Sequence, residues 1–240
     1  MEKKLVVITG ATSGIGKELA KLFIKNKYPV LLLARREEIL KEFQSDNVII
    51  SKVDVTNFDE FKKAVRQAEA KFGLTDLIIN NAGVMYLDKI YNLDLKMQNE
   101  MLDINVKGVL NGINIVINDM KNRNTGTIIN VGSVAGRWTS EDRAIYNGSK
   151  FAVRAITEQT RKEMAKFNVR VLTIEPALVD TNLSKGTINS EVIKNYQDWK
   201  QNLDKGLKSS QVAEVIFYMY KMPQEISLKE IVISSTKQSI

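Results

Sequence analysis

The sequence contains neither cysteine nor histidine. Those two absences exclude disulfides, thiol nucleophiles, thiolate- or imidazole-ligated metals, Ser-His-Asp triads and imidazole general bases. Any acid–base chemistry falls to Tyr, Lys, Asp or Glu. Proline is scarce, three in 240 residues, and none sits inside a helical pattern. Long apolar runs are missing as well. Nothing approaches the roughly 18 residues of a membrane span. After MEKK only LVVI precedes a polar Thr-Gly, too short for a signal-peptide core. A soluble, cytoplasmic protein is expected, and the lack of cysteine fits a reducing compartment.

The chain is basic, with 35 Lys and Arg against 28 Asp and Glu, a net charge of +7. The two signs are interleaved, as in KKLFIKNK against EEILKEF, and basic runs stop at pairs. That describes a solvated lysine-rich surface, with no nucleic-acid groove and no membrane patch. An apolar fraction of 44% over this length supplies a sizeable core without a metal or a disulfide.

Short apolar runs alternate with amphipathic stretches. LVVIT from Leu5, VLLLA from Val30, VIISKV from Val48, LIIN from Leu77, TIINVGS from Thr127, VRVLTIEP from Val169 and EIVIS from Glu230 read as seven strands. Several are nearly continuous Val, Ile and Leu, the signature of strands covered on both faces. Helical patterns fall at Gly14–Asn26, Arg36–Gln44, Asn57–Phe72, Asp94–Lys121, Ala144–Phe167 and Ser209–Tyr220. The alternation predicts a three-layer α/β fold: a doubly wound, Rossmann-type parallel sheet of seven strands with helices on both faces. Residues 1–240 are expected to form one dinucleotide-binding and catalytic domain. The rhythm breaks at 182–208, a long polar stretch after the sixth strand. It reads as a substrate lid, with a plain surface excursion as the alternative.

Directly after the first strand comes Thr9-Gly10-Ala11-Thr12-Ser13-Gly14-Ile15-Gly16, then an amphipathic helix. Glycines here permit a tight turn and let backbone approach a pyrophosphate, while the helix start presents unpaired N–H groups and a positive dipole end. The spacing, Gly-x-x-x-Gly-x-Gly, differs from both Gly-x-Gly-x-x-Gly and the P-loop. A dinucleotide cofactor is the reading; simple strand–helix packing is the alternative. The second strand ends in Ala34-Arg35-Arg36, where a ribose-binding carboxylate would mark NAD. Guanidinium–phosphate hydrogen bonds are worth on the order of 1.5–3 kcal/mol each, so NADP(H) is predicted. Arg36 is the one of the two better suited to opening a solvated helix.

In these features the chain resembles the short-chain dehydrogenase/reductase family in its single-domain form. The resemblance covers essentially the whole chain. It rests on TGATSGIG, on Asn80-Asn81-Ala82-Gly83, on Asn105, Ser133, Tyr146 and Lys150, and on the stretch from Pro176 to Thr181. INVGSVAGRW and the last residues look most like NADP-dependent 3-hydroxy acid and serine dehydrogenases. The resemblance implies that Lys150 grips the nicotinamide ribose and that Asn105 holds a water in a proton relay. For Asn105 the alternative is a helix-interior amide bonded to backbone. It also implies cofactor contacts from Asp54 and Val55, from Asn81, Ala82 and Gly83, and from Pro176, Val179 and Thr181. A homotetramer or dimer through the two long central helices is implied too. Two departures stand out: Ala177 and Gly148 occupy places where the family usually has Gly and Ala.

A Tyr-x-x-x-Lys pair occurs twice, at Tyr146/Lys150 and at Tyr196/Lys200. The first follows a strand-end Ser133 and opens a helix; the second lies in the polar stretch and reads as a surface coincidence. With no histidine, Tyr146 is the natural acid/base. A free phenol near pKa 10 is a poor base, and Lys150 with an oxidised nicotinamide is expected to lower it by roughly 1–3 units. Ser133 would hold the reacting oxygen. Met85, Trp138, Arg143, Leu183 and Trp199 are candidates for the substrate pocket. An Arg143–carboxylate contact would suit a small hydroxy acid; a solvent-facing arginine is the alternative. The expected activity is NADP(H)-dependent interconversion of a secondary alcohol and a ketone. The alternatives are a 3-oxoacyl-[acyl-carrier-protein] reductase and, from another class, a non-catalytic nucleotide sensor.

Overall fold

The computed structural model describes residues 3–239. In chain order its elements are β1 (Val6–Thr9), α1 (Gly14–Lys25), β2 (Val30–Ala34), α2 (Glu37–Leu40), β3 (Val48–Lys52), α3 (Phe58–Phe72), β4 (Leu77–Asn80), α4 (Leu95–Leu102), α5 (Gly108–Asn122), β5 (Thr127–Val131), α6 (Ala144–Met164), β6 (Arg170–Pro176), α7 (Ser190–Asn202), α8 (Ser209–Lys221) and β7 (Glu230–Ile233). The seven strands form one sheet in the order β3-β2-β1-β4-β5-β6-β7, every pair parallel. This is the doubly wound, three-layer arrangement expected of buried Val/Ile/Leu strands.

Alternate strand residues feed two separate cores. Val6, Ile8, Leu32 and Ala34 pack with Leu19 and Phe23 of α1 and Ile216 of α8. Val7, Leu31 and Leu33 face the other way, against Phe61 of α3, Ile113 of α5 and Val153 of α6. Phe23 also meets Tyr28 and Phe217 edge-on at 5.3 and 5.1 Å. A polar ladder crosses the centre of the sheet: Asn80 Nδ2 donates to Asn130 Oδ1 (2.8 Å) and Asn130 Nδ2 to Thr157 Oγ1 (2.8 Å). These buried amide contacts, with only Asn80 Oδ1 among the three residues left without a partner, fix one register, so the ends of β4 and β5 and the axis of α6 are held together.

Three helical patterns break differently from expectation. The run at Arg36–Gln44 shortens to α2 and a 3₁₀ turn at Lys41–Phe43. Asp94–Lys121 is divided by a π turn at Asp103–Lys107, where Gly108 N–H reaches back to Asp103 O. The stretch 182–208 holds a full helix, α7, capped by Asn189, whose side chain accepts from Glu191 and Val192 N–H. No helix among the described residues is long and apolar enough to cross a membrane.

Candidate active site

A cleft of about 610 Å³ opens at the carboxyl ends of the strands. β1 and β4 are neighbours in the sheet while their following helices diverge, which is the place where open α/β sheets take ligands.

The turn after β1 floors the cleft with Gly10, Thr12, Ser13, Gly14 and Ile15. Gly10 has φ +68°, and a Cβ there would meet Ala82 Cα at 2.9 Å, so only glycine fits. Ser13 caps α1 without a side-chain hydrogen bond, and the first turn carries no acidic residue. Its amides are left for an anion. Gly16 is not in the lining. It is a packing glycine, since a Cβ would stand 2.3 Å from Gly10 O.

Both arginines after β2 line one end of the cleft, and Arg36 stands at the start of α2. Arg36 lies over the glycine turn, donating to Thr12 Oγ1 (3.0 Å) and Ser13 Oγ (3.3 Å). Arg35 turns away to Glu100 (3.3 Å), which also accepts from Tyr86 OH (2.9 Å). Asp54 and Val55 lie beside them, Asp54 held by the N–H and hydroxyl of Thr56 (2.9 and 2.8 Å). On the opposite wall are Asn81, Ala82 and Gly83. The Asn81 side chain donates to Thr9 O (2.9 Å), and Thr9 Oγ1 accepts from the Asn81 and Ala82 amides.

Ser133, Tyr146 and Lys150 meet at the other end, with Pro176, Val179 and Thr181 above them. Ser133 Oγ accepts from Ala135 N–H (3.1 Å) and donates to Pro176 O (3.3 Å). Lys150 Nζ is 5.7 Å from the Tyr146 ring centre but donates to Val131 O (2.9 Å). In this chain alone burial pushes the Tyr146 phenol up to about 12; Tyr196 adds to the rise, while Ser133 and Arg143 oppose it. Lys150, turned to the Val131 carbonyl, is not among the causes of that shift, and the lowering expected of it together with an oxidised nicotinamide belongs to the complex. Burial brings Lys150 itself down to about 8.

Asn105 stands behind the wall, in the π turn. Its Oδ1 accepts from Val84 N–H (2.9 Å), and its Nδ2 donates to Val84 O (2.9 Å) and Ser149 Oγ (3.1 Å). Ser149 in turn donates to Tyr146 O (2.7 Å). The side chain therefore ties the segment after β4 to α6.

The Tyr196/Lys200 pair is no surface coincidence. Tyr196 lines the cleft, while buried Lys200 turns to Asp180 (2.7 Å) and Thr181 O (3.4 Å), so α7 is fastened to the segment after β6. Trp199 sits beside Tyr196, an i, i+3 pair that could have signalled a shared face. Met85, Arg143 and Leu183 join the lining; Trp138 does not, and is half exposed. Ala177 keeps an ordinary negative φ. Gln238 also lines the cleft, its Oε1 accepting from Leu178 N–H (3.0 Å). No local sequence signal announces that residue, because only the tertiary return after β7 brings it there.

The family model described as short chain dehydrogenase matches residues 4–191. The chain belongs to the short-chain dehydrogenase family. As such it is an oxidoreductase acting on CH–OH groups. This short-chain dehydrogenase is 38% identical over 246 aligned residues to an uncharacterised oxidoreductase of Staphylococcus saprophyticus, covering all of this chain and 99% of that one. A serine dehydrogenase in a closed form with NADP+ superposes with a TM-score of 0.90 at 27% identity, over 98% and 96% of the two chains. A 3-ketoacyl-(acyl-carrier-protein) reductase of Brucella melitensis with NADH superposes at 0.84 and 26%, over 97% of each.

Proposed function

We propose that the protein is an NADP(H)-dependent oxidoreductase that interconverts a secondary alcohol and a ketone, with a small hydroxy acid as the substrate class suggested by its likeness to serine dehydrogenase. The observation that carries this reading is a buried phenol and a buried ammonium, Tyr146 and Lys150, at the end of a cleft whose other end is a glycine turn overlain by Arg36. Residues 1–240 act as one catalytic domain, and 182–208, with α7 at the rim, serves as its lid. Exposed Leu110 of α5 and Phe151 of α6 support a homo-oligomer through those helices. The absence of cysteine fits the cytoplasm.

The cleft fits the dinucleotide. Its uncapped α1 amides receive the pyrophosphate, Arg36 the 2′-phosphate, Asp54 and Val55 the adenine side, Asn81, Ala82 and Gly83 the riboses, and Val179 and Thr181 the carboxamide. When bound, the nicotinamide supplies or accepts the hydride. Lys150 holds the neighbouring ribose, Ser133 orients the reacting oxygen, Tyr146 gives or takes its proton, and Asn105 fixes the helix that carries Tyr146 and Lys150.

The direct test is NADPH oxidation over small keto acids, keto esters, diketones and aldehydes, with NADH in parallel. Turnover of none of them by the folded protein overturns the reading in favour of the nucleotide sensor. Arg36→Ala should lower kcat/KM for NADPH by roughly 10–100-fold, the loss of one or two charge-assisted bonds, and leave NADH within a few-fold. An unchanged NADPH/NADH ratio would make Arg36 a spectator.

Cofactor binding should also carry a pH limb. Lys150, brought down to about 8 by burial, loses its charge well below the ordinary 10.5. The complex needs the ammonium, so NADPH affinity is full below pH 8 and weakens above it, by at most about tenfold per pH unit for one proton. Fluorescence titration in wild type and Lys150→Met checks this: the variant should bind weakly with no limb. A limb that survives in the variant belongs to another group.

A further inference from the structure

Arg143 is a cation in the cleft that, among the described residues, makes no side-chain hydrogen bond and no ion pair. It immediately precedes α6, three residues before Tyr146, and lines the cleft half-buried. Its acidic neighbours in the chain, Glu141 and Asp142, are both turned to Lys89, at 2.7 and 3.1 Å. Among the described residues no acceptor hydrogen-bonds its guanidinium and no carboxylate comes within 4.0 Å of it. What holds it is α7. The guanidinium carbon lies 5.3 Å from the Tyr196 ring centre and 5.2 Å from Trp199, two rings 5.7 Å apart and inclined by 38°. Such faces attract a cation and remove water from it, yet supply no acceptor for its N–H fork.

Beside Arg143 lie Met85, Leu183, the neutral amide of Asn182 and exposed Lys185, none of them acidic. The one carboxylate in the lining, Asp54, is at the opposite end with the arginines after β2. A ligand here therefore meets an unpaired, partly desolvated guanidinium beside the reacting phenol. One helical turn separates the two, about 5–6 Å between side-chain origins. We propose that Arg143, clasped by Tyr196 and Trp199, is the receptor for a carboxylate on the substrate, so that the oxidised or reduced carbon stands a few bonds from an acid group over which α7 closes. The inference rests on the oxidoreductase reading and narrows it to short oxo acids and hydroxy acids. The planar fork of arginine suits a carboxylate in bidentate contact, and a single fork suits a single charge.

The experiment pairs an acid with its neutral isostere. With NADPH, wild type should reduce acetoacetate over methyl acetoacetate with a kcat/KM ratio of roughly 10–100, the scale of a charge-assisted bidentate pair. Arg143→Met should bring that ratio near one through a raised KM for the acid, whereas any change it makes in kcat through the Tyr146 phenol falls on acid and ester alike. Arg143→Lys should restore part of the ratio. A wild type that takes the ester as readily, that prefers acetoacetyl-CoA, or whose acid-over-ester ratio survives in Arg143→Met overturns the receptor while leaving the oxidoreductase intact. Binding supplies a readout independent of turnover. In a Trp138→Phe background, Trp199 is the remaining tryptophan of the two, and its fluorescence should respond to 3-hydroxybutyrate but not to 1,3-butanediol. That response should vanish in Arg143→Met. An equal response to the diol, or saturation by inorganic phosphate at lower concentration than by the acid, overturns the carboxylate assignment even if no carbonyl compound is ever reduced.

Discussion

Tyr146→Phe should lower turnover at least a hundredfold and leave NADPH affinity within a few-fold. The phenol is packed among Met85, Leu87, Met101 and Ala135, so Phe fills the same space and the only loss is the O–H. Burial raises that group to about 12 against the opposing pulls of Ser133 and Arg143, so the neutral phenol is the resting form at neutral pH. It is therefore set to donate a proton to a nascent alkoxide. The reverse direction needs phenolate, and oxidation should accordingly rise with pH while reduction stays flat through neutrality. Positioned proton transfer contributes typically about 10²–10⁴-fold, and no histidine stands by to replace it. Single-turnover NADPH oxidation with a saturating carbonyl, read beside a binding titration, measures both halves. Turnover within tenfold of wild type would remove Tyr146 from the chemistry.

The strands are legible in the sequence because a parallel sheet covered on both faces writes itself as continuous Val, Ile and Leu. Tyr146, Lys150, Ser133 and the glycine turn are legible because each function there depends on residues close in sequence. The π turn is not: one widened turn at Asp103–Lys107 shifts the helical phase by a single residue, and the apolar pattern of a 28-residue run absorbs that shift. Nor is the division of labour between Arg35 and Arg36. Both are one bond pattern away from a phosphate in sequence, and only the position of Glu100 on the neighbouring α4 draws Arg35 aside. Tyr196 is misread from sequence because polarity around it suggests solvent, whereas half-exposed Asp180 gives the buried Lys200 a partner and the face of Tyr196 and Trp199 turns inward. Trp138 is misread the opposite way. Its place between Ser133 and Tyr146 in sequence does not translate into the cleft, because the turn that begins at Ser133 carries it outward.

Gly16→Ala should destabilise the protein and loosen its grip on the cofactor, although alanine is the better helix former by about 1 kcal/mol. The added methyl would stand 2.3 Å from Gly10 O and 2.5 Å from Asn81 Nδ2. Neither can yield cheaply. Gly10 O belongs to backbone held at φ +68°, and Asn81 Nδ2 is bonded to Thr9 O. Helix α1 must move instead, yet Leu19, Ala20 and Phe23 bury it against the sheet and α8. Overpacking of this kind costs about 1–3 kcal/mol; less the roughly 1 kcal/mol of propensity, a net loss of up to about 2 kcal/mol should depress the melting temperature by up to roughly 8 °C in a chain of this size. The displaced amides at the start of α1 are those facing the anion site, so NADPH affinity should fall more than tenfold while Tyr146 and Lys150 stay in place. Gly148→Ala provides the opposite sign. It lies in α6, and a methyl added there would have nothing within 4 Å, so propensity acts alone and the protein should gain up to about 1 kcal/mol. Thermal melts and NADPH titrations of the two variants separate the effects, and a Gly16→Ala protein that melts above wild type would mean that the turn and helix can part without cost.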